Sequence, residues 1–229
     1  MTPFDGIAFF HDLAPDQAEA HARHCVRKHF AEGELVLDFD DTSTDVYFIA
    51  HGEVRVLIRT ASGKEMIFGD FGPGCFFGEM AAIDGAMRSA NVTALTNAEL
   101  CVVPAADFKA IVLSEPQLCD RLLRLFTHRI RELNMRLFER SVLDLRHRLY
   151  AELLRLASPR KGSPGQTAIS PPPRQHDLAA RIGCRREQVS RELTAMIDDG
   201  LAEKTKGALV LLKPSLLEKR VHEALDQAE

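Results

Sequence analysis

Phe77-Gly78-Glu79-Met80-Ala81-Ala82-Ile83-Asp84-Gly85-Ala86-Met87-Arg88-Ser89-Ala90-Asn91-Val92 holds the parts needed to grip a small phosphodiester. Gly78 permits close backbone approach, and the short apolar turn that follows opens with amides that no intrahelical carbonyl accepts. Such amides carry partial positive charge and favour anions. Arg88 adds a paired, charge-assisted hydrogen bond, with the Ser89 hydroxyl beside it. Glu79 is the odd member, because a carboxylate next to a phosphate is repelled unless it accepts protons from a neutral donor such as a sugar hydroxyl. A ribose phosphate meets these requirements together.

The chain of 229 residues is long enough for one large or two small cores. Its net charge of -4 is unevenly divided. Up to Leu143 there are 14 basic against 21 acidic residues, and from Asp144 onward 15 against 12. An acidic front and a basic back suit a ligand-handling half joined to a half that meets an anionic partner. Cys25, Cys75, Cys101, Cys119 and Cys184 stand singly, without a CxxC, as reduced and mostly buried thiols do. Met1-Thr2-Pro3-Phe4-Asp5 lacks a positively charged start, and no apolar run approaches spanning length. A cytoplasmic location without a membrane is therefore expected.

Asp16 to Phe30 is expected to be helical, with acidic residues early and basic ones late behind Pro15. His21, His24, Cys25 and His29 lie along it, but no partner ligand cluster occurs elsewhere, so no metal is assigned. From Gly33 to Pro104 short β-rich runs alternate with glycine turns: 34–39, 46–50, 54–60, 64–68, 90–95 and 99–103. Such spacing indicates a β sandwich or barrel. Phe68 and Phe71 are expected as core aromatics that can also line the base side of a pocket.

Ser114-Glu115-Pro116 opens the longest helical stretch, in which Cys119, Leu123, Phe126, Ile130, Leu133 and Leu137 recur at steps of four and three. It runs to about Leu143, roughly 28 residues and about 42 Å, and its apolar seam is that of a parallel homodimer helix. Val142 to Leu145 is a hinge, with Asp144 placed to cap a helix reaching Ala157. The loop from Ser158 to Pro173 contains a hairpin around Gly165 and Gln166. Gln175 onward gives two short helices about a glycine turn, with Ala179, Ile182, Val189 and Leu193 inward, a helix-turn-helix. The second helix turns Arg186, Glu187, Ser190 and Arg191 outward. Residues 201–204 and 208–212 supply a β wing, and 214–229 an extra amphipathic helix.

The order apolar-Gly-Glu, small residue, short spacer, Arg-Ser-Ala-x-apolar resembles the phosphate-binding cassette of cyclic-nucleotide-binding domains. The match falls on Phe77, Gly78, Glu79, Ala81, Arg88, Ser89, Ala90 and Val92. Ala82 departs from it, since the family usually carries a larger aliphatic residue there, which would loosen the short helix. Arg186-Glu187-Gln188-Val189-Ser190-Arg191 resembles the recognition helix of the cyclic-AMP receptor protein/FNR family of bacterial transcription regulators. That resemblance covers essentially the whole chain in the same order.

The resemblance implies an α+β protein: an N-terminal β jelly roll of cyclic-nucleotide-binding type (1–115), a long dimerisation helix (116–143) and a C-terminal winged helix-turn-helix (144–229). It implies a homodimer gated by cyclic AMP or cyclic GMP that binds an inverted repeat in double-stranded DNA, with RNA polymerase as a further partner. Glu79 would meet the ribose 2′-hydroxyl. Gly78, the amides of Met80 and Ala81, Arg88 and Ser89 would meet the cyclic phosphate. Arg129 would pair with Glu79, and the purine would lie near Phe68, Leu133 and Asn134. Leu133-Asn134 replaces adjacent hydroxyl residues of the cyclic-AMP receptor protein, and Arg-Ser-Ala-Asn is also similar to cyclic-GMP cassettes, so the base is left open. Arg185, Arg186, Glu187, Ser190 and Arg191 would face DNA, with Arg186 and Arg191 on guanine N7/O6 and Glu187 on cytosine N4. An iron-sulfur or haem-gated member of the same family would need an amino-terminal cysteine cluster, which is absent. A phosphodiesterase would need a metal cluster, so no catalytic residue is assigned.

Overall fold

Val46, Tyr47, Phe48 and Ile49 are all buried, which a strand achieves only when both of its faces are covered. The computed structural model describes residues 2–60, 63–160 and 165–227. The chain divides into two units, Met1–Arg129 and Ile130–Glu229. In chain order it forms a 3-10 turn at Ala8–Phe10, α1 (Pro15–His21), a second 3-10 turn at Ala22–His24, β1 (Val26–Phe30), β2 (Leu35–Leu37), β3 (Val46–His51), β4 (Val54–Arg59) and β5 (Glu65–Phe71). There follow β6 (Phe76–Phe77), α2 (Glu79–Asp84), β7 (Asn91–Ala94), β8 (Ala98–Val103), α3 (Ala105–Ser114) and α4 (Pro116–Val142), which supplies residues to both units.

The first unit stacks two four-stranded antiparallel sheets, β1-β8-β3-β6 and β2-β7-β4-β5. Side chains alternate across a strand, so β3 and β8 feed two cores. Tyr47, Ile49, Leu100 and Val102 fill the space between the sheets with Val54, Val92 and Ala94. Val46, Phe48, Cys101 and Val103 point the other way, into a cluster closed by Phe9, Phe10, Phe76, Phe108, Ile111, Leu118 and Leu122. Burial pushes the Cys25 and Cys101 thiols up to about 12, as expected of inert thiols.

The structure corrects two readings of the sequence. The helix expected to run to Phe30 ends at His21, and Val26–Phe30 is a strand paired antiparallel with Ala98–Val103. The exposed edge of β8 needs a backbone partner, and Arg27 joins Glu99 across the pair at 2.6 Å. The late basic residues that suggested a helix end suit this half-exposed strand equally well. The helix α3 was not anticipated, although Phe108, Ile111 and Val112 carry its buried stripe at i, i+3, i+4. Ser114 is its last residue and bonds Ile111 O at 3.2 Å, so it does not cap α4.

The second unit continues from α4 into α5 (Leu145–Leu156), then β9 (Ser158–Pro159), β10 (Thr167–Ile169), α6 (Gln175–Ile182), α7 (Arg186–Asp198), β11 (Ala202–Lys204), β12 (Leu209–Leu211) and α8 (Pro214–Asp226). Asp144 caps α5, accepting from the His147 N–H at 2.9 Å. The β9–β10 pairing is antiparallel, while part of the hairpin expected near Gly165, residues 161–164, lies outside the described residues. β11 and β12 form the wing of a sheet ordered β11-β12-β10-β9. Leu149, Leu153, Leu178, Val189, Met196, Leu201 and Leu217 make the core. Leu217 brings α8 into that core, which accounts for the extra helix.

Gly52 turns β3 into β4 with φ +82°, and a Cβ there would lie 2.4 Å from Asn97 O and 2.7 Å from Ala98 Cα. Neither obstacle is a flexible side-chain end. Gly52→Ala is expected to cost about 1–3 kcal/mol from the positive φ alone, with the clash added. A urea unfolding midpoint equal to that of the unsubstituted protein would disprove this account of the turn.

Candidate functional site

β6 delivers the chain to Gly78, whose φ of +85° and missing side chain are both required. A Cβ at Gly78 would lie 2.8 Å from Arg88 Nη1 and 2.8 Å from Asp45 O. From there α2 runs from Glu79 to a second left-handed glycine, Gly85. Ala81 and Ala82 are buried beneath it, and Ala82 packs in the aromatic core. The small Ala82 side chain seats α2 directly on that core.

Glu79 is only 4% exposed. Arg129 of α4 reaches it with Nη1 at 2.5 Å and donates through Nη2 to Phe76 O at 3.0 Å. The Arg129 guanidinium lies 5.7 Å from the ring centroids of both Phe71 and Phe76. Burial raises the Glu79 carboxyl above the usual carboxylate range, and Arg129 only partly offsets it. A carboxyl raised in the folded state binds its proton more tightly there than in the unfolded chain. Its contribution to stability therefore falls as pH rises from the unfolded value to the raised one, and at neutral pH it is a net cost. The fold tolerates that cost for an acceptor held at a fixed point.

Arg88 is 2% exposed and fully integrated. Nε donates to Ser43 Oγ at 3.0 Å, Nη1 to Gly78 O at 2.9 Å and Nη2 to Asp45 O at 2.8 Å, with the guanidinium over the Tyr47 ring. A guanidinium has five N–H groups, so these three bonds orient it and leave two donors. Ser89 is exposed, its hydroxyl 3.7 Å from Met80 Sδ, and Met80 is 55% exposed.

The structure thus gathers Gly78, Glu79, Met80, Ala81, Arg88, Ser89 and Arg129. Phe68 is placed differently from the core aromatic expected: it sits on β5 with its ring exposed. Leu133 and Asn134 belong to the second unit, exposed on α4. Ser43, Asp45 and Tyr47 escaped the sequence reading, since a hydroxyl and a carbonyl more than forty residues upstream of Arg88 leave no local pattern.

In the second unit α6 ends at Gly183, with φ +71°, and α7 begins at Arg186. Val189, Leu193 and Met196 hold α7 in the core. Arg185, Arg186, Glu187 and Arg191 are exposed, and Ser190 is half-buried. Gln188 closes the helix start by accepting the Arg185 N–H at 3.0 Å, and Glu192 is engaged by Arg146 at 2.9 Å. The outer face of α7 is therefore led by arginines, as a major-groove helix requires.

A jelly roll in which Gly78, Glu79, Arg88 and Arg129 are gathered about α2, followed by a winged helix-turn-helix, defines a ligand-binding regulator of the DNA-binding class. The cyclic nucleotide-binding domain model matches residues 27–115 and the Crp-like helix-turn-helix domain model residues 147–220. The chain is 30% identical over 213 residues to the cyclic AMP receptor protein of Thermus thermophilus, covering 93% of this chain and 96% of that one. The solved catabolite activator protein of the same organism is 30% identical with a TM-score of 0.51, covering 94% and 99%. The c-di-GMP responsive global regulator of Xanthomonas campestris shares the fold at a TM-score of 0.69 and 22% identity, over 82% and 94%. The chain belongs to the cyclic-AMP receptor protein/FNR family and is a cyclic-nucleotide-binding transcription regulator, not an enzyme. Among the described residues no group of three or more His, Cys, Asp or Glu could hold a metal, and no helix is long and apolar enough to cross a membrane.

Because Arg88 bonds three acceptors of the protein itself, Arg88→Ala is expected to lower stability in the absence of any ligand. Charged hydrogen bonds contribute about 1.5–3 kcal/mol each, so a clear fall in the thermal midpoint should accompany any loss of binding. An unchanged midpoint in buffer would show that the bonds to Ser43, Gly78 and Asp45 do not bear on the fold.

Proposed function

We propose that the protein is a homodimeric regulator gated by cyclic AMP or cyclic GMP, which strengthens its binding to an inverted repeat in DNA. The observation that carries this reading is the buried Glu79, held by Arg129 beside the Arg88 clamp. In the jelly roll, assigned to 1–115, Glu79 accepts from the ribose 2′-hydroxyl. The spare donors of Arg88, the amides of Gly78, Met80 and Ala81, and Ser89 receive the cyclic phosphate. Phe68, Leu133 and Asn134 are the base contacts. The name of the Thermus relative favours cyclic AMP, whereas exposed Ser89 offers an acceptor to a guanine amino group.

The dimerisation helix, 116–143, leaves Leu123, Ile130, Leu133 and Leu137 each more than half exposed at heptad spacing. Such a seam is costly in water and inexpensive against a second copy. The winged domain, 144–229, presents Arg186 and Arg191 to guanines and Glu187 to a cytosine, with Arg185 and Ser190 beside them. A two-fold dimer then meets half-sites about 34 Å apart. The regulator works in the cytoplasm, with RNA polymerase as its further partner. Gating requires only that the nucleotide bind the DNA-ready state more tightly than the other.

Gel-shift titrations with and without each cyclic nucleotide test the reading as a whole. Affinity should rise with the effective nucleotide and fall steeply with salt. Arg191→Ala should relax preference at one G·C pair by about 1–3 kcal/mol. Equal DNA affinity with and without saturating nucleotide would refute gating.

The seam has its own measurement. Ile130→Glu should shift the protein toward monomer in sedimentation velocity, and a variant that stays fully dimeric would place the interface elsewhere.

A further inference from the structure

Asp38-Phe39-Asp40-Asp41-Thr42-Ser43-Thr44-Asp45 carries four carboxylates in eight residues and lies against the phosphate cassette. The loop holds Arg88 by both its backbone and its side chain. Asp40 N donates to Arg88 O at 3.0 Å, and Arg88 N donates to Asp41 O at 2.9 Å. The guanidinium is taken by Ser43 Oγ and Asp45 O. The loop is thus built to place Arg88, yet it sets the charges of Asp41 and Asp45 against that arginine.

The balance of charge at the cassette is unusual for an anion site. Arg129 is matched by Glu79. Burial lowers the Arg88 guanidinium, and the charges of Asp45 and Asp41 from the loop that holds it act in the opposite sense. Their field is felt nearby as well, since the Tyr47 phenol is pushed up by burial and then by Asp45 and Asp41 against the pull of Arg88. Asp41 Oδ1 accepts the Ser43 N–H at 2.7 Å, and Asp38 Oδ1 accepts Asn91 Nδ2 at 2.6 Å. Among the described residues no basic side chain ion-pairs with any of the four aspartates. The formal charge around Arg88 is therefore negative.

Such a site binds an anion through aimed N–H donors, not through net charge. A phosphodiester bearing one negative charge can be held this way. Each further charge meets the carboxylates with no added donor to offset it. A phosphate monoester, whose second pKa is about 6, carries close to two charges at neutral pH. We infer that the Asp38–Asp45 loop is a charge filter: it fixes Arg88 for a single phosphodiester and turns away nucleotides of higher phosphate charge. The loop is not a ligand site of its own, and its role rests on the cyclic-nucleotide reading of the cassette given above.

Asp41→Asn and Asp45→Asn, singly and together, remove charge and keep the shape. The amide oxygen introduced at position 41 can still accept the Ser43 N–H, and the Asp45 carbonyl that meets Arg88 is untouched. The measurement is competition by 5′-AMP against bound cyclic AMP, and by 5′-GMP against cyclic GMP, at low and high salt, with the thermal midpoint as a check on folding. The double variant should narrow the ratio of monoester to cyclic-nucleotide affinity by on the order of tenfold at low salt, and by less at high salt. A purely structural loop would weaken both ligands together and leave the ratio unchanged. That result, or a change indifferent to salt, overturns the filter. Should the unsubstituted protein bind neither cyclic nucleotide, the ligand assignment itself fails and the filter with it. Tight cyclic-nucleotide binding with an unaltered ratio defeats the filter alone.

Discussion

A carboxylate taken out of water must be matched by donors, and Glu79 is the point at which this constraint shapes the first unit. Burial still outweighs the Arg129 pair, so the carboxyl is raised and not lowered. The pair is therefore weak evidence for stability. What it does supply is position. Arg129 is fixed by Phe76 O and by the faces of Phe71 and Phe76 as well as by Glu79. The start of α2, the end of β5, β6 and the middle of α4 are thereby tied to one guanidinium. A hydroxyl brought to Glu79 would join this network and, through Arg129, reach a residue of the longest helix.

The second arginine solves a different problem. Arg88 is long and flexible, and such a side chain loses conformational entropy on being ordered. Ser43, Gly78 and Asp45 have already ordered it. Gly78 makes this possible, because any side chain there would strike both Arg88 and Asp45 O. The glycine thus serves the arginine ten residues later by leaving it room.

These relations explain which parts of the molecule were legible in the sequence. The cassette was legible because its pieces lie within sixteen residues and their order is distinctive. The helix-turn-helix was legible for the same reason: Ala179, Ile182, Val189 and Leu193 carry its inward faces locally, and all are buried. What failed was tertiary. The strand Val26–Phe30 exists because β8 offers it a ladder seventy residues away, and nothing in its own residues announces that. The burial of Arg88 was not legible because Ser43, Asp45 and Tyr47 reach it from far upstream. Phe68 was assigned inward by composition, although the alternation along β5 buries Ile67 and exposes its neighbours. The stripe of α3 was present but short, ten residues between a strand and a far longer helix.

In the second unit the break after α4 is bridged by side chains. The chain leaves α4 at Val142 and re-enters a helix at Leu145, with Leu143 buried and Asp144 capping. Two nonhelical residues alone would let the elements swing. Glu139, in the last turns of α4, is ion-paired with Arg155 of α5. Arg155 also binds the buried Glu152 at 2.7 Å, and Arg181 of α6 approaches the same carboxylate at 3.5 Å. Arg140 lies against the Gly183 turn, where an added Cβ would come within 2.9 Å of its guanidinium. The end of α4 is thus held by charge to α5 and by contact to the turn that sets the angle of α7. Removing one member would leave a buried charge uncompensated, which is far costlier than the intact network is stabilising. The last turn of α4 is consequently packed against α5 and the helix-turn-helix, and side chains bridge the hinge at Val142 to Leu145.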